Sequence, residues 1–439
     1  MANFAVYNYR IYLVMYKFQR RSFLTLILSL LWVYGYCQAD TLKMSLQDAE
    51  KQFLEKNFSL LAQKYNVEAS KALIDQAKLW DNPVLSTDQN IYDGISKKLF
   101  YHNAGQNLGQ VFVQLNQVFT TAGKRGKQVQ VAKDNEKVQE AAFNDLMRNL
   151  RYNLQLDFGQ LANLIAQGRV YQLEIASATN LVNGIQKSFD AGNTSMKDLL
   201  RLKALLFGLQ NDMTENSRQI NDLQTELKTL LVTGEMAYIL PIVNEQPNQA
   251  VDLSIPNLIE QAKTNRPDYL SNQYQLNSAT HNLDYQKALA SPDVTLGLSY
   301  DKNSSYAPNY VGFQVGLPLP FFNRNQGNIE SAKFNRMSQE NTLKDNEAHL
   351  KNDVVAAVNQ YKLNLELVSA QQTAFNGQYD KLFNNMLKSF QQRDIGLIEF
   401  VDFFDSYKDT KLKILQQQYN VQKAIADLNF AVGTTIIKP

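Results

Sequence analysis

One cysteine in 439 residues, Cys37, leaves neither a disulfide framework nor a thiolate zinc site. Histidine is almost as scarce. His102, His281 and His349 fall in unrelated segments, and no His/Cys/Asp/Glu spacing approaches a ligand set, so no metal or cofactor is expected. Each histidine reads as a solvated surface residue. Glycine (19) and proline (10) are sparse for this length, which argues against an all-β fold and for long uninterrupted helices. No charge excess exists, with 44 Lys+Arg against 42 Asp+Glu, so bulk attraction to nucleic acid is excluded. No nucleophile–base pair can be read. Gly123-Lys124-Arg125-Gly126-Lys127 lacks the phosphate-loop spacing and its Ser/Thr, and its basic character fits a turn near lipid headgroups. The chain is expected not to be an enzyme.

What is present begins with an export signal. Lys17, Arg20 and Arg21 precede the apolar run Phe23 to Tyr36, which is short for a membrane span. Residues 1–37 read as a signal peptide, with Met15 as the better start because it puts the basic residues at the amino end. Cleavage is expected before Gln38. A lipoprotein alternative would acylate Cys37, although Tyr34 and Tyr36 are poor neighbours for that processing. No later apolar run is long enough for a transmembrane helix.

The remainder is written twice. Leu61, Tyr65, Asp75, Lys78 and Pro83 recur at Leu270, Tyr274, Asp284, Lys287 and Pro292. Gln114, Ala132, Lys133 and Asn135 recur at Gln314, Ala332, Lys333 and Asn335, and Lys187-Ser188-Phe189 recurs at Lys388-Ser389-Phe390. The expected organisation is a first repeat over 38–234, a linker over 235–254 and a second repeat over 255–439. Each repeat reads helix, strand, loop, strand, long helix, break, helix.

Strands are expected at 84–92, 110–119, 293–301 and 311–319. Val294, Leu296, Leu298 and Tyr300 alternate with Thr295, Gly297, Ser299 and Asp301, apolar on one face and small or polar on the other. That pattern suits a membrane barrel wall and equally a half-buried strand of a soluble sandwich. Gly126 to Asp190 and Gly327 to Gln391 each predict one rod of roughly 100 Å. The helices after the breaks, Ser195 to Val232 and Leu397 to Val432, are about half that length. Two short helices stacked end to end would match one long one, and by elimination the C-terminal helix is left the N-terminal helix as its partner. Ile220, Leu223, Leu227 and Leu230, and Val421, Ile425, Leu428 and Val432, step by three and four as coiled-coil seams do.

Leu317-Pro318-Leu319-Pro320-Phe321-Phe322-Asn323-Arg324-Asn325-Gln326-Gly327-Asn328, Gly123-Lys124-Arg125, Arg266-Pro267-Asp268 and the paired breaks near 192 and 394 carry a resemblance. The chain resembles the TolC family of outer-membrane efflux channels, closest to its cobalt-zinc-cadmium (CzcC-like) branch. The resemblance implies a mainly helical fold with a membrane β-barrel part. Three chains would form a twelve-stranded barrel in outer-membrane lipid on a long periplasmic α-helical tunnel. It also implies an adaptor protein and an inner-membrane RND-type pump as partners, with heavy-metal cations or other small toxic solutes as cargo. A type I secretion channel shares this architecture. A periplasmic coiled-coil structural or adaptor protein would use the rods alone.

Thr295, Gly297, Ser299 and Gln314 are then expected on the barrel lumen, and Phe321 and Phe322 in an aromatic girdle. Asp198 and Arg201 occupy the positions of Glu399 and Asp402 in the other repeat. The resemblance places the entrance constriction on such positions in the second repeat. On charge alone, Arg201 and Arg393 are expected to pair with these carboxylates, within or between chains. Ser195-x-x-Asp198 reads equally as a capping box.

Overall fold

The computed structural model describes residues 41–94, 96–100, 110–242, 253–304, 307–368 and 370–438. The expected signal segment with Cys37 and Met15, His102 and the middle of the expected linker lie outside the described residues.

In chain order the elements are β1 (Thr41–Ser45), α1 (Leu46–Lys56), α2 (Phe58–Lys78), β2 (Val84–Gln89), β3 (Tyr92–Asp93), β4 (Lys98–Leu99), β5 (Val111–Phe119), α3 (Lys124–Asp190), α4 (Met196–Leu231) and β6 (Tyr238–Ile242). The second half supplies α5 (Ile255–Asn265), α6 (Pro267–Leu289), β7 (Val294–Asn303), β8 (Pro308–Gly316), α7 (Gln326–Leu367), α8 (Ala370–Gln392) and α9 (Leu397–Val432).

Four strands form one antiparallel sheet in the order β2-β5-β7-β8. The strand bounds differ from expectation most in the first and last strands. The last strand spans 308–316, not 311–319, because Pro318 and Pro320 have no N–H to give a ladder and pairing stops at Gly316. The first ends at Gln89, and Tyr92–Asp93 turns away to pair with Lys98–Leu99. A parallel pair, β1 with β6, has no counterpart in the sequence reading. Its strands are five residues long. They are clamped by the buried Gln224, whose amide donates to the Ile239 carbonyl and accepts from its N–H at 2.7 and 2.9 Å.

Helix α3 runs 67 residues without interruption, about 100 Å. It packs against α2, α4, α6 and α9, so it touches both halves of the chain. Its counterpart is not one rod. The helix stops at Leu367, Val368 leaves the helical region, and α8 resumes at Ala370. Tyr361 and Asn364 are the last buried side chains of α7, and among the described side chains Phe383 is the next buried one. Leu365 and Val368 still pack against the core of the second half, and the break falls at Val368, whose stiff β-branched side chain disfavours the helix.

Each helix after a tip break runs back to an interruption in its own half, not to the other half as expected by elimination. Asn57 interrupts α1–α2. Its Oδ1 accepts from the N–H groups of Ser59 and Leu60, and its Nδ2 donates to the Leu230 carbonyl at the end of α4. Arg266 interrupts α5–α6, held extended by Pro267. Gly433, just past α9, lies so close to Asn265 and Arg266 that a Cβ would stand 2.9 Å from their backbone atoms. The last carbonyls of a helix need donors, and each interruption supplies one nearby.

The core follows this plan. Phe53, Leu60, Leu154, Leu161, Leu227 and Leu231 fill the first half, while Leu258, Tyr269, Leu350, Val358, Leu428 and Val432 fill the second. A third cluster joins both halves near the tip and includes Leu181, Leu202, Leu209, Phe383, Phe400 and Phe404.

Candidate functional site

Two regions carry the expected functional residues: the sheet and the far tip of the helices. In the sheet, register sorts the side chains. Asn116, Gly297 and Gln314 form one row, and Gln114, Ser299 and Gly312 the next. Thr295, Gly297, Ser299 and Gln314 therefore share one face. Gln114 donates to Gln314 across the two halves of the chain. A Cβ at Gly297 would overlap the Asn116 Oδ1, so a side chain there would require the Asn116 amide to move. The opposite face holds Leu115, Leu298 and Phe313 in one row and Val113, Tyr300 and Val311 in another. Leu298, Val311, Phe313 and Val315 are all well exposed in the single chain. A face this apolar and this uncovered requires a non-aqueous neighbour.

At the lower rim, Phe321 and Phe322 stand out, with Phe322 94% exposed. Trp80 meets Phe119 edge-on and carries the Arg125 guanidinium 3.8 Å above its ring. Lys124, expected among headgroups, is instead buried. Its ammonium donates to Asp293 and to the Ser291 carbonyl, both at 2.7 Å, and so ties the start of α3 to the start of β7.

At the tip the two breaks are built alike. Gly192 closes α3 with φ +76°, and Arg393 closes α8 at the equivalent position with φ +66°. Arg393 thus takes a left-handed conformation that glycine accepts more readily. Arg201, Glu399 and Asp402 line one cavity of about 490 Å³, together with Gly396, Ile398, Val401 and Asp405. Asp198 and Arg393 do not line it. Asp198 is engaged with Ser195, which accepts from its N–H and donates to its carboxylate at 2.7 Å. Among the described residues, none of Arg201, Arg393, Glu399 and Asp402 forms an ion pair within the chain. Asp405 was missed, although it stands one turn beyond Asp402 on the same helix face.

His281 is not simply solvated. Its Nδ1 lies 2.5 Å from a carboxylate oxygen of the buried Asp134, joining α6 to α3. His349 is exposed. Among the described residues no group of three or more His, Cys, Asp or Glu could hold a metal ion. No described helix is long and apolar enough to cross a membrane.

The family model "Outer membrane efflux protein" matches residues 50–233 and 258–434. The chain belongs to the outer membrane efflux protein family. It is similar to the cobalt-zinc-cadmium resistance protein CzcC of Cupriavidus metallidurans, with 22% identity over 80% of each chain. A shorter match, 23% identity over 42% of this chain and 44% of the relative, is to the toxin and drug export protein A of Aggregatibacter actinomycetemcomitans. Among solved structures, CusC superposes with a TM-score of 0.72 at 17% identity, covering 91% of this chain and 96% of that one. The CmeC outer membrane channel of Campylobacter jejuni gives 0.70 at 15%, covering 88% and 85%. The protein is an outer-membrane channel component of an efflux pump, located in the outer membrane with a large periplasmic part.

Proposed function

We propose that three copies of this chain form a twelve-stranded barrel whose polar face is the lumen and whose apolar face meets lipid. On this reading the helices make a passive periplasmic duct, docked to an adaptor protein and an RND-type inner-membrane pump. Its cargo is heavy-metal cations. The observation that carries the reading is the sheet itself. It is antiparallel throughout, has four strands, and leaves β2 and β8 as unpaired edges running in opposite directions. An exposed edge seeks a partner strand. An even, alternating count lets the β8 edge of one copy accept the β2 edge of the next without a parallel join, and four strands alone are too few for a lumen. The metal assignment rests on similarity to CzcC along most of both chains. Conduction needs no covalent chemistry, so the duct works without catalytic residues.

The test pairs two measurements. Native mass spectrometry of the detergent-solubilised protein should give three chains, and a monomer or dimer would overturn the barrel. Cells lacking the gene should become sensitive to cobalt, zinc and cadmium, with rescue by the intact gene. Sensitivity to organic compounds alone, or loss of a secreted polypeptide alone, would overturn the metal assignment.

A further inference from the structure

Glu174 is anomalous in the helical bundle. It lies within α3 with no solvent exposure, and neither carboxylate oxygen has a hydrogen-bond partner. The apolar tip cluster begins one turn further on, at Ala178. The titratable and charged groups facing Glu174 come from three helices. Tyr171 is on α3, Asp212 on α4, and Asp405, Tyr407, Lys408 and Asp409 on α9. Lys408 is the only cation among them, and it is shared loosely. Its ammonium stands 3.7 Å from Asp212 and 3.8 Å from both Asp405 and Asp409. Tyr407 donates to Asp380 on α8, which Lys411 already neutralises.

We propose that Glu174 is a proton-binding site that couples pH to the packing of α9 on α3. As the neutral acid it leaves the dry contact intact. When its proton passes to water, the remaining carboxylate cannot stay buried without a partner. It draws Lys408 inward, which removes the cation from among three aspartates and sets them repelling one another across α4 and α9. Burial pushes the Glu174 carboxyl up to about 8; Lys408 opposes this, and Asp405, Asp409 and Asp212 reinforce it. A raised carboxyl favours the packed state while protonated. The stabilisation is complete below the ordinary value of 4.5 and is lost as pH rises to about 8. The same helix begins at the tip cavity and carries Glu399, Asp402 and Asp405, so loosening it at Lys408 acts on that cavity.

The test uses the purified full chain in detergent from mildly acidic to mildly alkaline pH. Infrared spectra should show the carbonyl band of a protonated carboxyl that titrates near pH 8 and is missing in Glu174→Gln. Amide exchange protection in residues 400–411, corrected for intrinsic rates, should fall over the same range in the wild type and stay constant in Glu174→Gln. Lys408→Met removes the opposing cation and should move the midpoint upward. A band that persists in Glu174→Gln, or equal loss of protection in both proteins, overturns the proposal. A midpoint unmoved by Lys408→Met overturns the role of Lys408.

Discussion

Leu298 and Ser299 are neighbours in the chain and opposites in the sheet. Leu298 stands in the exposed apolar row with Leu115 and Phe313, and Ser299 in the polar row with Gln114 and Gly312. If the apolar face meets lipid, Leu298→Arg should cost roughly 2–4 kcal/mol near the bilayer midplane, whereas a lumen substitution should be nearly neutral. Comparing the folded yield of Leu298→Arg and Ser299→Arg in isolated outer membranes checks this, and equal yields would reverse the face assignment. This face could be read from period-2 alternation. Other single residues could not. His281 looked solvated because its partner Asp134 is 147 positions away and nothing local announces it. Arg266 was noticed only as part of a resembling motif, yet it is a buried cation bonded to Asp268 and Asp353 at 2.6 and 2.9 Å. Burial alone would raise the Asp268 carboxyl. The hydrogen bond from Arg266 and the charges of Arg148 and Arg266 outweigh it and hold that carboxyl below its ordinary value. Asp268 therefore adds stability above its unfolded value, and this is lost as pH falls through the lowered one. Arg266→Leu takes the hydrogen-bonded cation from Asp268 and Asp353, leaves Asp268 with Arg148 alone, and should cost about 1–3 kcal/mol by chemical unfolding. The loss should shrink in strong acid, where Asp268 is protonated in both proteins. A loss that does not vary with pH would make Arg266 a packing residue only.

Element by element, what could be read was type and order, and what could not be read was the interruptions. Leu46 to Leu79 looks like one helix, because Asn57 is a tolerable helix residue until its carboxamide is seen serving two helices. The oxygen caps α2, and the nitrogen ends α4. The two roles separate by mutation. Asn57→Asp keeps the cap acceptor and loses the donor to Leu230, whereas Asn57→Ala loses both. The alanine variant should cost roughly 1–2 kcal/mol, the aspartate variant less, in thermal unfolding of the purified protein. Equal losses would show that the cap contributes nothing. In the second half Asn257 to Leu289 also reads as one helix although Pro267 stands at the same interruption, and Pro318 marks the strand end that alternation overran. The break at Val368 carries no such mark. Val368 and Leu365 pack on the core of the second half, and packing across a distance is what a linear pattern does not record.

For the whole molecule, the duplication was legible and its closure was not. Repeats show which elements are equivalent, but helix lengths alone mispaired the C-terminal helix, whose end at Gly433 lies against Asn265 and Arg266 of its own half. Equivalence also hid an asymmetry at the tip. Asp198 and Glu399 are counterparts, yet Asp198 is bound to Ser195 while Glu399 opens into the cavity, because Gly396 stands where Ser195 would cap. The cavity therefore gathers three carboxylates, Glu399, Asp402 and Asp405, with Arg201 as the sole cation in its lining. Three-fold repetition would turn these into acidic rings at the periplasmic mouth, suited to cation passage. Each exposed charge pair is worth at most about 1 kcal/mol, so a closed mouth depends on the repeated set and on low ionic strength. Arg201→Ser together with Asp402→Ala should raise single-channel conductance in planar bilayers. The difference from wild type should shrink as salt is added, because screening weakens the pairing between copies that a closed mouth requires and the variant lacks. Arg201→Ser alone leaves the carboxylates unopposed and should increase preference for cations over anions. Unchanged conductance and selectivity with assembled channels would leave Arg201, Glu399 and Asp402 as solvated groups on the first turns of their helices.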